Sequence, residues 1–277
     1  MDCVQVNGIP VFHGPQDRDT ALQIGTFATA AVQFLTAHLG PPPKEVRVYV
    51  MDSFIRFRFH AAPWPYRPLF LLLLPFWYRR VMKLWPRVGG LTERYESRPA
   101  VGIKPPRLLQ VADAEIRRCI MFPEPDMPTR LQGMVCHELT HAFTIRLSLP
   151  VWLNEGIAVR AAEQFLGKPM VRPDSLELLK TRGKGSRPRT YRHLSHLDSD
   201  EMAYEYARGY WITRFLDERH PELLRDFLRE RKAEDEIESA IRRHASIRHR
   251  RFWNDIDAVV AENCRPRGKE HGITQAG

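Results

Sequence analysis

No apolar run in this sequence is long enough to span a bilayer as a helix. The longest run covers the ten residues from Leu69 to Tyr78 and is interrupted by Pro75, whereas a spanning helix needs about 20 apolar residues. The first residues also lack the basic stretch and apolar core of a secretory signal. We therefore expect a cytoplasmic protein.

Cysteine is scarce, and its few copies are scattered. The chain has four, at Cys3, Cys119, Cys136 and Cys264, and no two of them have C-x-x-C spacing. This pattern argues against a disulfide framework and against a cysteine-rich zinc ribbon. We expect the thiols to be reduced.

Acidic residues are fewer than basic ones, which gives a net charge of +9 and a pI of about 9.6. Such a balance permits contact with nucleic acid, anionic lipid or acidic substrates. A solvated surface carries the same charges, and we favour that interpretation, so nucleic acid is not expected as a partner. Residues 180–192 hold six basic and no acidic side chains, and we interpret them as a solvated loop, with phosphate binding as the alternative.

The order of predicted elements indicates one α+β domain over residues 1–263, with a small mixed sheet and one helix first and a mainly helical half at 129–263. The sheet is predicted from a hairpin at 4–14 turning at Asn7-Gly8, a strand at 45–51, and short apolar clusters at 101–103, 108–111 and 119–122. Helices are predicted at about 17–39, 129–148, 150–166, 200–219, 221–232, 234–245 and 247–262, and residues 264–277 are predicted to form a flexible tail.

Residues 60–90 form an insertion rich in proline and aromatic side chains. Aromatic and cationic residues around a short apolar run suit a membrane surface or a partner, so contact with a membrane surface through residues 64–86 is one interpretation. Pro75 argues against a continuous amphipathic helix. We therefore expect this insertion to pack against the core of the domain.

The segment CHELTH at residues 136–141 places two histidines four positions apart in a predicted helix. Because residues at i and i+4 share a helix face, His137 and His141 can bind one metal ion. Glu138 beside them is placed to accept a proton from a water at that metal. Two core histidines bonded to backbone carbonyls are the alternative. Cys136 points about 100° away from His137 around the helix, so we do not count it as a ligand.

A third zinc ligand is needed, because catalytic zinc commonly has three protein ligands and one open position. Glu155 is the first good candidate downstream. It lies in the helix predicted at 150–166, which a short connection folds back against the histidine helix. Asn154 and Thr140 are candidates to orient the ligands.

Three segments together resemble the gluzincin zinc metallopeptidases, specifically the bacterial peptidase MA-like catalytic domains related to the M1 aminopeptidases. They are the HELTH helix, VWLNEGIA at 151–158 and AYEYARGY at 203–210. The resemblance implies a thermolysin-like fold, a peptide or protein substrate, and Zn²⁺ held by His137, His141 and Glu155, with Glu138 as general base.

The resemblance also gives a role to a tyrosine that precedes a glycine by three residues on a later helix. This tyrosine stabilises the tetrahedral intermediate in that family, and it matches Tyr206 ahead of Gly209. Tyr204 and Tyr210 are rivals for the role. Two features depart from the aminopeptidases: the link between His141 and the following glutamate is shorter, and the G-x-M-E-N segment that holds the free amino group of a substrate is absent.

We therefore expect a zinc metallopeptidase whose endo- or exo-action stays open. One alternative is a non-catalytic protein stabilised by zinc, which contacts nucleic acid, a membrane surface or a protein partner through basic loops. Another is a zinc hydrolase that acts on a substrate other than a peptide.

Overall fold

The computed structural model describes residues 1–95, 98–112, 120–182, 190, 198–247 and 252–264. These residues form an α+β fold, with an N-terminal sheet followed by a mainly helical remainder, as predicted. Cys119, most of the basic loop at 180–192 and the predicted tail beyond Cys264 lie outside the described residues.

The sheet is mixed and has five strands. They are β1 (Asp2–Val6), β2 (Ile9–His13), β3 (Arg47–Val50), β4 (Gly90–Tyr95) and β5 (Arg98–Ile103). The strand order is β1-β2-β3-β5-β4. The two outer pairs are antiparallel, whereas β3 runs parallel to both of its neighbours. The predicted turn at Asn7 and Gly8 is confirmed, and both residues have positive φ values, 49° and 84°, as a type I′ turn requires.

The seven predicted helices are present in the predicted order, and the described residues contain four further helices that were not predicted. The helices are α1 (Arg18–Leu39), α2 (Phe54–Ala61), α3 (Tyr66–Leu84), α4 (Pro106–Ala112), α5 (Met127–Thr144), α6 (Val151–Leu166), α7 (Glu177–Arg182), α8 (Ser199–Arg219), α9 (Pro221–Arg229), α10 (Glu234–His244) and α11 (Phe252–Asn263). Those not predicted are α2, α3, α4 and α7. The Asp126 carboxylate caps α5 by accepting a hydrogen bond from the backbone N–H of Thr129 at 2.9 Å, which satisfies a donor that the helix leaves unpaired. Gly167, with a φ of 65°, ends α6.

Two of the predicted strands are wrong. Residues 108–111 lie in α4, because so short a segment with three apolar residues fits a helix as well as a strand. In the cluster at 119–122, Met121 forms only an isolated bridge with Val171. Conversely, β4 occupies residues that we had placed at the end of the insertion and just beyond it.

The expectation that residues 60–90 pack against the core holds only at the two ends of the insertion, where Ala61 is buried and Trp85 and Val88 pack against a cluster around Tyr49. Most of the insertion is α3, a single helix that continues through Pro75. Its outward side chains are exposed, with Leu72 at 70% and Phe76 at 85% of their full accessible surface. Within the described residues, no helix has the length and apolar character needed to cross a membrane.

Two large hydrophobic clusters meet at the pair of helices α5 and α6. One cluster joins the sheet and α1 to the buried face of α5, for example at Val48, Ile103 and Leu139. The other joins α6 to α8 and the C-terminal helices, for example at Leu153 and Trp211. The two helices that carry the predicted metal ligands therefore lie between two packed cores, which fix them from both sides.

Candidate metal centre

The two histidines of α5 direct their Nε2 atoms toward each other. The distance between the Nε2 atoms of His137 and His141 is 3.1 Å, and the rings meet edge to face with centroids 4.7 Å apart. His141 is buried, and His137 is only partly covered. The two rings therefore converge on one point at the edge of the helix, as the i, i+4 spacing predicts.

Glu155 of α6 brings a carboxylate to the same point. Its Oε2 lies 3.4 Å from Nε2 of His137, and its Oε1 lies 3.6 Å from Nε2 of His141. Ligands at the usual zinc distances around a tetrahedron are separated by about 3.3–3.6 Å. The three donor-to-donor distances in this structure are close to that range, so the residues present fit a zinc-sized cation.

The connection between α5 and α6 places Glu155. It contains a short 3₁₀ turn at Ile145–Leu147 and then Ser148 in the left-handed conformation, with a φ of 50°. Across this connection the Thr144 hydroxyl donates a hydrogen bond of 2.9 Å to Oδ1 of Asn154. The end of α5 is thereby tied to the first turn of α6, next to Glu155.

His141 and Glu155 stabilise each other's charged forms. Burial would raise the pKa of Glu155, but the two histidines beside it hold the pKa well below its usual range. Burial would lower the pKa of His141, but the Glu155 carboxylate, with smaller contributions from Glu138 and the Asn154 side chain, raises it to about 9. The site thus favours a carboxylate facing positive charge, which is the charge pattern that a bound cation would also satisfy.

Glu138 is held apart from the three converging side chains. It is buried, and burial raises its pKa. The Thr92 hydroxyl of β4 lies 2.8 Å from the Glu138 backbone oxygen and 2.9 Å from Oε2 of its carboxylate, so it can donate to either. Gly90 leaves room for the Glu138 side chain, because a Cβ at Gly90 would stand 2.5 Å from Cγ of Glu138. Even so, the ligand atoms of His137, Glu138 and His141 all lie within 4.8 Å of one another.

The other two polar residues that we had considered near the motif have structural positions. Cys136 is fully buried in the cluster under the sheet, and burial raises the pKa of its thiol to about 12. The Thr140 hydroxyl donates to the Cys136 carbonyl oxygen at 2.8 Å, so its hydrogen bond stays within the helix. Asn154 adjoins His141 directly, since its side chain contributes to the raised pKa of that histidine, and it also accepts a hydrogen bond from Thr144, which we had not identified.

The three tyrosines of α8 differ in their surroundings. The Tyr204 hydroxyl donates to the buried Asp257 carboxylate at 3.1 Å, and the Tyr210 hydroxyl lies 3.0 Å and 3.1 Å from the two carboxylate oxygens of Glu163. Both tyrosine hydroxyls are therefore hydrogen-bonded to buried carboxylates. Tyr206 is half-buried and packs, like Val151 at the start of α6, against Met202.

Sequence reasoning did not identify Gly90, Thr92 and Thr144. The first two lie on an edge strand more than 40 residues before the motif, and no local pattern connects them with Glu138. Thr144 is at the usual i+3 spacing from His141, but its partner Asn154 belongs to the next helix.

The site therefore consists of the partly buried His137 and the buried Glu138 and His141 on one helix, with Glu155 beside them on the next. No protein-family model, no curated protein and no solved structure matches this chain.

Proposed function

We propose that this protein is a zinc-dependent metallopeptidase of the gluzincin type, in which His137, His141 and Glu155 hold the metal. The observation that carries the proposal is the convergence of two Nε2 atoms and one carboxylate at 3.1–3.6 Å, beside a second buried carboxylate on Glu138. A three-ligand zinc site with a neighbouring base is the arrangement that metal-assisted hydrolysis requires. The cytoplasmic location that we expect from the sequence stays a prediction.

Glu138 performs the proton transfers in this proposal. When bound, zinc supplies Lewis-acid polarisation of a carbonyl oxygen and makes water more acidic. Glu138 accepts a proton from the water that adds to the carbonyl carbon of the substrate. It then gives this proton to the amine nitrogen as the carbon–nitrogen bond breaks, so it acts first as base and then as acid.

Tyr206 is the proposed donor to the oxygen that gains negative charge in the tetrahedral state. A hydrogen bond that forms mainly in that state lowers the barrier and leaves substrate binding little changed. The Tyr204 and Tyr210 hydroxyls are bonded to the buried carboxylates of Asp257 and Glu163, which argues against either of them as the donor. This supports the assignment taken from the resemblance.

The edge of the sheet supports a peptide as the substrate. In the described part of the chain, no strand pairs with the outer edge of β4, and this strand carries Thr92 next to Glu138. An extended peptide can add to such an edge through its backbone groups. It would then pass directly in front of the proposed base.

A structural zinc site is the second candidate. Glu138 lies within 4.8 Å of both histidines, so a small rotation could make it a fourth protein ligand. Structural zinc sites usually fill all four positions with protein ligands. In that case the protein would bind zinc for stability and would catalyse nothing.

Zinc content is the measurement that tests the ligand assignment. The purified wild type should hold about one zinc per chain, and Glu155→Ala should lose most of it, because one of three ligands is gone. Glu177→Ala, an exposed glutamate of α7, is the matched control and should keep its zinc. Full occupancy in Glu155→Ala would remove Glu155 from the ligand set.

A further inference from the structure

The outward surface of α3 is apolar and open to solvent. Trp64, just before the helix, and Phe76 keep 75% and 85% of their accessible surface, and Leu72 keeps 70%. Leu69, Leu71 and Leu73 are also exposed. Contiguous exposed apolar surface of this kind is rare in a monomer and marks a binding surface. We call Trp64 together with the exposed side chains of Tyr66–Leu84 the α3 surface.

The opposite side of α3 rests on the body of the protein. Phe70 and Leu74 are half-buried. The Arg67 guanidinium, also half-buried, donates to the backbone oxygens of Ala62 and His60 at 3.2 Å and 3.3 Å. The helix therefore has one apolar side that the protein covers and a second apolar side that it leaves open. A helix that is apolar all round needs cover on every side.

Every charged residue within the segment that carries this surface is basic. From residue 53 to residue 92 the sequence contains seven lysines and arginines and no aspartate or glutamate. Two of the seven, Arg56 and Arg58, pair with Asp52 and Glu93 from outside that stretch. The exposed Arg79 lies near the end of the apolar run. An occupant of the α3 surface should therefore be apolar in its interior and negatively charged at its boundary.

We propose that the α3 surface docks on an anionic lipid surface. Leucine and aromatic side chains enter the boundary between headgroups and acyl chains, and the neighbouring cations face the lipid phosphates. Such a helix lies on a membrane without crossing it, in agreement with its length and composition. A second copy of the chain fits less well, because a two-fold contact would bring the same cations face to face.

The docking surface adjoins the strand that borders the metal centre. A cavity of about 390 Å³ separates α3 from β4, lined on one side by Tyr66, Leu69 and Leu73 and on the other by Glu93 and Tyr95. Docking would therefore hold the free edge of the sheet close to the lipid. The proposal does not depend on hydrolysis, since lipid binding can be measured in a protein that cleaves nothing.

Vesicle flotation tests this proposal on the full-length protein. Wild type should float with vesicles of phosphatidylcholine and phosphatidylglycerol, bind vesicles of phosphatidylcholine alone more weakly, and dissociate from the anionic vesicles as salt is raised. The double variant Leu72→Glu with Phe76→Glu should bind anionic vesicles at least about tenfold more weakly, because it places charge in the apolar boundary. Arg79→Gln should lose about fivefold, the contribution of one cation near the surface.

Leu22→Glu is the matched control, because Leu22 is an exposed leucine on α1, and this variant should bind like wild type. Circular dichroism should show that all variants keep the fold, since the replaced side chains are exposed. Three results would overturn the proposal: no vesicle binding by wild type, unchanged binding by the double variant, or a dimer of wild type that the double variant dissociates while neither binds lipid. Zinc content and peptide cleavage are separate readouts, so failure here leaves the metallopeptidase proposal standing.

Discussion

Gly90 is the residue on which the position of the Glu138 carboxylate depends most directly. A Cβ at this position would lie 2.5 Å from Cγ and 2.7 Å from Oε1 of Glu138. The side chain of Glu138 can yield by changing its rotamer, so the strain would move the proposed base and leave the backbone in place. Gly90→Ala should therefore lower kcat by about 100-fold, the cost of a displacement of about 1 Å in a reacting group.

Zinc content is the control measurement for Gly90→Ala, because it separates a displaced base from a lost metal ion. The three atoms nearest to a Cβ on Gly90 all belong to Glu138, so the variant should keep its metal and most of its stability while losing activity. Full activity in Gly90→Ala would show that hydrolysis does not require Glu138 in its present position.

Single residues also show how far the site could be predicted. His137, Glu138 and His141 follow from local spacing, because a helix fixes the geometry of i and i+4. Glu155 came from a second segment, and its approach to both rings agrees with that choice. Thr92 could not be predicted, since the pairing of β4 with β5 places it beside Glu138 and 46 residues separate the two in the chain.

At the level of elements, two glycines allow α6 and α8 to cross at short range. A Cβ on Gly156 would stand 2.4 Å from the Gly209 carbonyl oxygen, and one on Gly209 would stand 2.4 Å from the Trp152 oxygen. Both glycines belong to the segments on which the family resemblance rests. The two segments therefore have a packing role in addition to the catalytic role proposed for them, because the crossing fixes α6 one residue away from Glu155.

Gly209→Ala should separate the two helices. The contact is with backbone, which cannot rotate away, so the overpacking cost of about 1–3 kcal/mol should exceed the gain in helix propensity from alanine. Urea unfolding should show the loss as a lower midpoint. Gly133→Ala is the control, because its new Cβ would meet only the ends of the Leu166 and Met170 side chains. Equal stability of both variants would contradict the account of the crossing.

The elements themselves were predictable where local signals are strong. The start of α5 follows from the cap at Asp126, and the end of α6 follows from Gly167, because both residues act on the backbone within one helix turn. The start of α8 was predicted one residue late, at residue 200, whereas the helix begins at Ser199 behind a capping box formed by Asp198 and Glu201. Helix α3 was not predicted because Pro75 was expected to end a helix, whereas it removes only one hydrogen bond and the helix continues. Strand β4 was not predicted because residues 90–95 become a strand only by pairing with β5.

For the whole molecule, the buried Lys104 should shape the dependence of stability on pH. Its ammonium lies over the Trp85 ring at 3.9 Å and donates to the Trp85 carbonyl oxygen. Burial lowers the pKa of Lys104 from its ordinary value of 10.5 to about 8. Between these values the unfolded chain holds more protons than the folded one, so this lysine makes the free energy of unfolding rise with pH.

Comparison of wild type with Lys104→Met isolates this effect. Other buried groups act in the opposite direction, since burial raises the pKa of Cys264 to about 11 and of Tyr210 to about 12. These contributions are shared by both proteins and cancel in the difference. Denaturant unfolding from pH 8 to pH 10.5 should show wild type gaining stability relative to Lys104→Met, and a constant difference would contradict the burial of a charged Lys104.

The arrangement of the whole molecule gives the site its rigidity. The sheet with α1 supports one side of the α5 and α6 pair, and the C-terminal helices support the other. Sequence patterns predicted this division into a strand-containing half and a helical half. They could not predict which edge of the sheet would face Glu138, because the strand order arises from long-range pairing.

If Glu138 is the base of a catalytic zinc site, Glu138→Gln should bind zinc but lose the ability to cleave a peptide library. At zinc occupancy equal to that of wild type, the variant should cleave about 100- to 10,000-fold more slowly, the usual contribution of a general base. Cleavage at the wild-type rate, or loss of zinc from Glu138→Gln, would contradict the claim and favour a site in which this glutamate is a ligand or a bystander.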